Sequence, residues 1–257
     1  MRGEQMTATI DIPTGGYRYM PFAFQYSGGV AALDGYRIER VEFARPMPLA
    51  AGFAWIERYL GTLGVPLVAL CACELRSPAQ FTDTGFIAFN RQYIETLKRW
   101  GVMADDDNNP VARSNVIPAM HRPNEPSFHA FCFARPAAGA SGSFVIAGSG
   151  EAGDGPAPYR ERTVRYGETS ADAMREKALF VLGRMEERMA ALGKSWSDTT
   201  ATQVYTVYDL HPFLADEIVR RGAAQHGLLW HYARPPVEGL EYEMDCRSAP
   251  VEHHVRP

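Results

Sequence analysis

Asn109-Pro110-Val111-Ala112-Arg113-Ser114-Asn115-Val116 sets one arginine among small and β-branched residues, just after a loop and at the start of a buried strand. An arginine left unpaired in low dielectric costs several kcal/mol, so burial demands an anionic partner. The planar guanidinium fork matches a carboxylate bidentately. Arg113 therefore reads as a clamp for a ligand carboxylate or as one half of an internal ion pair. The elements around it decide the fold class. Upstream, Leu67-Val68-Ala69-Leu70-Cys71-Ala72-Cys73 is a near-continuous apolar run that suits a central strand. Between the two, Phe86 to Trp100 carries Ile87, Tyr93, Ile94 and Leu97 at helical spacing. Earlier still, Phe53, Ile56, Leu60 and Leu63 mark a helix over Leu49–Leu63, stopped by Gly64 and Pro66. Phe128 to Phe133 reads as another strand.

Tyr17 to Phe43 is β-like: Phe22 to Ser27 alternates, and Asp34-Gly35 is a hairpin signal. Residues 1–16 read as a loose leader and His253 to Pro257 as a frayed tail. After a linker at Ala134–Ser143 the order repeats. Ser143 to Ala147 is a strand, followed by a Gly/Pro-rich loop and a strand over Tyr159–Tyr166. Thr169–Leu192 is a helix, Thr200–Val207 a strand and Pro212–Gly222 a helix, with final strands at Leu228–Tyr232 and Leu240–Cys246. Leu63-Gly64 falls on Leu192-Gly193, an offset of about half the chain, as a tandem duplication requires. The expectation is an α+β protein of two tandem units, 17–135 and 143–248, each a mixed sheet with two helices packed on one face.

Composition narrows the function. The chain has 257 residues, 46% hydrophobic and 22% charged, with net charge −4 and no basic stripe, which argues against nucleic acid. No apolar run is long enough to span a membrane, and Met1 to Thr7 has no apolar core of a secretory signal. Cys71, Cys73, Cys132 and Cys246 form no CxxC pair and read as reduced and buried, in a cytoplasmic protein. The seven histidines show no metal-binding spacing. Gly148-Ser149-Gly150-Glu151-Ala152-Gly153 matches G-x-G-x-x-G. The Asp154-Gly155-Pro156-Ala157-Pro158 that follows cannot open the helix a dinucleotide site needs.

Several stretches resemble the YjgF/YER057c/UK114 (RidA) family. Phe86-Ile87-Ala88-Phe89-Asn90-Arg91-Gln92-Tyr93 looks like its F-x-x-V-N-x-x-Y helix. Pro110-Val111-Ala112-Arg113-Ser114 is similar to its P-A-R-S strand with one residue inserted. Ile146-Ala147-Gly148-Ser149-Gly150 and Glu241-Tyr242-Glu243 are similar to its S-G-Q and final E-I-E strands. The resemblance implies a chorismate-mutase-like fold, homotrimers with clefts between subunits, and hydrolysis of 2-amino acid enamines or imines without metal or organic cofactor. In its two-unit form it points toward 2-aminomuconate deaminases. It implies that Arg113 binds the ligand carboxylate and that Asn90 belongs to the site.

The first unit departs from the pattern: the family's late-strand glutamate is replaced by His129. The second unit keeps that glutamate as Glu243, with Glu217 where the asparagine is expected and Leu228 to His231 where the arginine is expected. The first unit is thus expected to carry the clamp, and the second to lend Ser149, Gly150 and Glu243. Enamine hydrolysis needs the carboxylate fixed, a water oriented and the departing nitrogen protonated. Gly28 and Gly29 offer close backbone approach, His129 a group that titrates near neutrality, and Glu125 an acid in the preceding loop. Ser114 is a weaker contact candidate, since it alternates with Arg113. Arg122 is a candidate for a second carboxylate. His129 also reads as a core histidine, and Glu125 and Arg122 as solvated side chains. The leading expectation is a small-molecule deaminase acting on a 2-aminomuconate or 2-aminoacrylate type of substrate. The alternatives are a carboxylate-binding protein that kept the cleft, or another reaction on a carboxylate.

Overall fold

A computed structural model of the protein describes residues 9–256. The reading of Met1 to Thr7 lies outside them. Along the chain run β1 (Ile10–Ile12), β2 (Tyr17–Met20), β3 (Gly29–Ala32), β4 (Tyr36–Pro48), α1 (Leu49–Thr62), β5 (Leu70–Arg76), α2 (Asp83–Arg99), β6 (Ala112–Pro118) and β7 (Ser127–Pro136). There follow β8 (Phe144–Gly150), a single turn α3 (Tyr159–Arg162), α4 (Ala171–Ala191), β9 (Ala201–Tyr205), a short α5 (His211–Phe213), β10 (Leu229–His231), β11 (Ala233–Arg234), β12 (Glu243–Ser248) and β13 (Val251–Val255).

The strands form two mixed sheets. Sheet I has seven strands in the order β1-β2-β3-β8-β12-β9-β10, and sheet II six in the order β11-β6-β5-β7-β4-β13. They face one another across a thin core in which Tyr17, Val30 and Ala147 of sheet I meet Ile38, Cys71, Ala72, Ala112 and Cys132 of sheet II. The small residues let the sheets approach closely. Outside sheet II, α1 and α2 bury Phe53, Ile56, Leu60, Phe86, Tyr93 and Leu97 against Phe128, Phe131 and Phe133. Each fully buried side chain of this size contributes about 1.5–3 kcal/mol. Outside sheet I, α4 buries Met174, Val181, Leu182, Met185 and Met189.

This corrects the expected pair of self-contained helix-packed units. The first three strands belong to sheet I, with the second-half strands, because β3 pairs with β8. Conversely β11 and β13, late in the chain, complete sheet II by pairing with β6 and β4. The Asp34-Gly35 turn is present, with Gly35 at φ +81 and the Tyr36 N–H donating to the Leu33 carbonyl. It joins no hairpin, since β3 and β4 lie in different sheets. The tail expected to fray is β13, and part of the expected leader is β1. Phe22–Ser27 forms a turn rather than a strand, Tyr159–Tyr166 a helical turn, and the second late helix is a three-residue α5 running into a wide π-type turn over Leu214–Val219. On α2 the exposed Ile87 leaves the apolar stripe, whose places go to Phe86, Phe89 and Asn90.

Candidate active site

Strand β6 is the key to the site. One of its sides pairs with β5, but β11 covers its other side only at Ile117 and Pro118. Residues 112–115 instead border sheet I, and an isolated bridge joins Ala112 to Ser27, just ahead of β3. A cavity of about 730 Å³ opens at this seam. That is within the range of small-molecule pockets, about 300–1,000 Å³. Its walls come from both halves of the chain: the 20–26 turn, Phe86, Arg113 and Asn115 from the first, and Gly148–Gly150, the 152–159 loop, Arg188 and Glu243 from the second.

Arg113 is 3% exposed. Its Nη2 donates to Asn90 Oδ1 at 2.6 Å, while Nε and Nη1 have no partner. Asn90 lies one helical turn beyond Phe86 on α2, so the helix that walls the cavity also holds the arginine. The guanidinium carbon sits 4.7 Å from the Tyr93 ring centre and 5.4 Å from that of Tyr26. Aromatic faces offset part of its lost hydration. They do not neutralise it, and burial draws its proton affinity down.

Glu243 is also buried. Burial, then the charges of Asp245 and Glu151, push its carboxyl well above the usual range, with Arg113 opposing. Its proton is therefore held more firmly than that of an ordinary carboxyl. Gly148 makes room for it: a Cβ there would stand 2.1 Å from Glu243 Oε1. The backbone just before it is pinned by Glu151, whose carboxylate accepts from the N–H groups of Glu241 at 2.5 Å and Tyr242 at 3.1 Å. Glu151 is in turn paired at 3.4 Å with the fully buried Lys177 of α4. Burial raises Glu151 to about 7, against the pull of Lys177.

The chain matches the model of the 2-aminomuconate deaminase CnbZ family over residues 9–253. It belongs to that family. A 2-amino-5-chloromuconate deaminase of Comamonas testosteroni is 49% identical over 246 residues, spanning 95% of this chain and 98% of the relative. Among solved structures, a chorismatase crystal structure aligns with a TM-score of 0.54 at 14% identity, covering 90% of this chain and 81% of that one. The likeness is of fold alone, and it is to this two-sheet architecture rather than to the helix-packed tandem units expected from the sequence.

In this CnbZ-family chain the structure brings together Arg113, Asn90, Ser149, Gly150 and Glu243. Others fall elsewhere. His129 sits at an irregularity where Glu74 pairs with Ala130 but Leu75 with Phe128. That turns it to the inter-sheet side, 3.9 Å from Glu42 and 4.0 Å from Glu74, while Arg113 faces α2. Burial, with Arg76 and Arg40 nearby, lowers His129 to about 2, so it is a neutral core histidine. Glu125 is exposed in the turn before β7, and Arg122 is an exposed side chain bonded to the Pro118 carbonyl. Ser114, on the opposite face of β6, packs beneath Gly148 between the sheets. The Gly28 N–H is taken by the Met20 carbonyl, and neither Gly28 nor Gly29 lines the cavity. Glu217 pairs with Arg175 on the helical side of sheet I, and His231 bonds Gln203. Among the described residues no group of three or more His, Cys, Asp or Glu side chains could hold a metal ion, and no helix is long and apolar enough to cross a membrane.

Arg188, Tyr26, Phe22 and Asn115 went unnoticed in the sequence. Arg188 had a signal: it continues the buried α4 stripe of Val181 and Met185, so an arginine occupies a core-facing position.

Proposed function

We propose that this protein is a hydrolytic deaminase converting 2-aminomuconate, or a near relative of it, to the 2-keto acid and ammonia. One observation carries the reading. A buried arginine with two unpartnered nitrogens shares a cavity with a buried glutamic acid from the other half of the chain, whose carboxyl burial pushes up. Arg113 holds the carboxylate next to the reacting carbon. Glu243 gives its proton to the enamine carbon, whose π pair forms the new C–H bond as the C2–N bond becomes an imine. Water adds to C2 and returns a proton to Glu243. The carbinolamine nitrogen takes that proton and leaves as ammonia, and the hydroxyl gives its own back as the ketone forms. Glu243 ends as it began, and its burial at the cavity wall keeps each transfer within one site.

Ammonia release from freshly generated 2-aminomuconate tests this. Wild-type protein should release one ammonia per substrate consumed, and Glu243→Gln should slow release by about 10²–10⁴-fold, the usual contribution of a positioned acid. No release above buffer by folded wild-type protein would sink the proposal.

A further inference from the structure

The cavity contains a second buried arginine that the reaction above does not use. Arg188, 4% exposed, reaches from α4 to the end of β8 in sheet I. Its Nη1 donates to Ser149 Oγ at 2.8 Å and to the carbonyls of Ala147 and Gly148 at 3.4 Å, and its buried Nε has no partner. Every one of these acceptors is neutral. Among the charged groups that share the cavity with it, Asp154 and Glu187 are both paired with Arg184, and burial pushes the carboxyl of Glu243 up. A cation buried with neutral acceptors is an incomplete ion pair.

Its relation to Arg113 is defined by two rings. Phe22 and Tyr26 stack with centroids 5.6 Å apart. The Arg188 guanidinium carbon lies 4.6 Å from the Phe22 centroid, and that of Arg113 lies 5.4 Å from the Tyr26 centroid. The two cations are thus each seated on one member of an aromatic pair that forms a wall of the cavity. A planar conjugated chain matches such a wall, with one anionic group for each arginine.

We infer that Arg188, positioned by Ser149, is a second carboxylate seat, and that the cavity selects flat, unsaturated dicarboxylates over monocarboxylates of the same length. The inference rests on the proposed function for the reacting end of the substrate. The test is independent of turnover. Muconate and sorbate (2,4-hexadienoate) share the six-carbon diene, and sorbate has a methyl group in place of the second carboxylate. Their affinities are measured by titration calorimetry on wild type, Arg188→Gln and Arg188→Lys, with circular dichroism to show that each is folded. Wild type should bind muconate at least 30-fold more tightly than sorbate. Arg188→Gln should bind the two within threefold of one another, and Arg188→Lys should recover part of the preference. Equal binding of both ligands by wild type overturns the inference whether or not any variant folds. So does a preference that survives in Arg188→Gln, or equal loss of both ligands in a folded variant, which would make Arg188 a tether between helix and sheet. Preference for muconate without ammonia release from 2-aminomuconate would leave the second seat standing and remove the deaminase chemistry.

Discussion

Two of the places where the protein buries arginines and glutamates treat them in opposite ways. Between the sheets, Arg40 is saturated: it bonds Glu74 at 2.6 and 3.0 Å, Glu42 at 2.7 Å and Glu252 at 3.0 Å. Burial alone would raise Glu74, but the charge and hydrogen bonds of Arg40 hold it well below the usual carboxylate range. In the cavity, Arg113 has one bond, to a neutral amide, and Glu243 is pushed up instead of down. Low dielectric makes paired charges strong and unpaired ones costly. The inter-sheet network uses that to join the two sheets. The cavity keeps the cost unmet, which makes it able to bind an anion.

Removing the arginine on each side separates the two roles most sharply. Arg113→Met should lower kcat/KM for 2-aminomuconate by about 10³-fold or more, the loss of two charge-assisted hydrogen bonds at about 1.5–3 kcal/mol each. Its melting temperature should hold or rise, because an unpaired buried cation is gone. Arg40→Met should do the reverse. It strands Glu74, Glu42 and Glu252 without their common partner, at a cost of about 3–5 kcal/mol. Melting should fall by roughly 10 °C for a chain of this size. Paired thermal melts and steady-state kinetics check both; a destabilised Arg113→Met would show that its charge is already compensated.

The pH response gives the next largest effect. His129 is lowered to about 2 by burial and by Arg76 and Arg40, beneath its ordinary value near 6.5. The unfolded chain therefore binds a proton that the folded chain refuses. The stability linked to His129 is present above about pH 6.5 and is lost as pH falls, at no more than about 1.4 kcal/mol per unit. Glu243 has the opposite sign: with its folded value raised, stability linked to it is full below the ordinary carboxylate value and lost as pH rises. Chemical denaturation at pH 7 and pH 5 should show His129→Gln losing about 2 kcal/mol less than wild type over that interval. An unchanged difference would place a proton on His129 in the folded network.

Much of the candidate site was legible because its signals lie in short contiguous stretches. Arg113 stood out as a charge inside an apolar strand, while Asn90 and Glu243 came from the resemblance of their short stretches to the RidA-family helix and final strand. The fold was less legible because strand exchange is not local. β3 reads the same whether it pairs with β4 across Asp34-Gly35 or with β8, which enters more than a hundred residues later. His129 stayed open between two readings because one irregular pairing beside Glu74 decides which face it takes. Arg188 was missed because its helix already satisfied an amphipathic reading without it.

The smallest change is the most direct test of the comparison, since it converts one arrangement into the other. Asn90 Oδ1 already accepts from Arg113 Nη2, so Asn90→Asp puts a carboxylate where the amide is and gives Arg113 the kind of partner Arg40 has. The present bond is already assisted by the guanidinium charge; a carboxylate would add Coulombic attraction that exceeds its own desolvation by about 1 kcal/mol. Unfolding free energy should rise by about that amount. The same pairing competes with the substrate carboxylate, so KM should rise by about tenfold, with kcat changed less because Glu243 is untouched. Denaturant melts and initial-rate kinetics on the one variant read both quantities. A gain in stability with no change in KM would mean that the free Nε and Nη1 of Arg113, rather than its unpaired charge, hold the substrate. The site would then be a hydrogen-bond fork and not an electrostatic one.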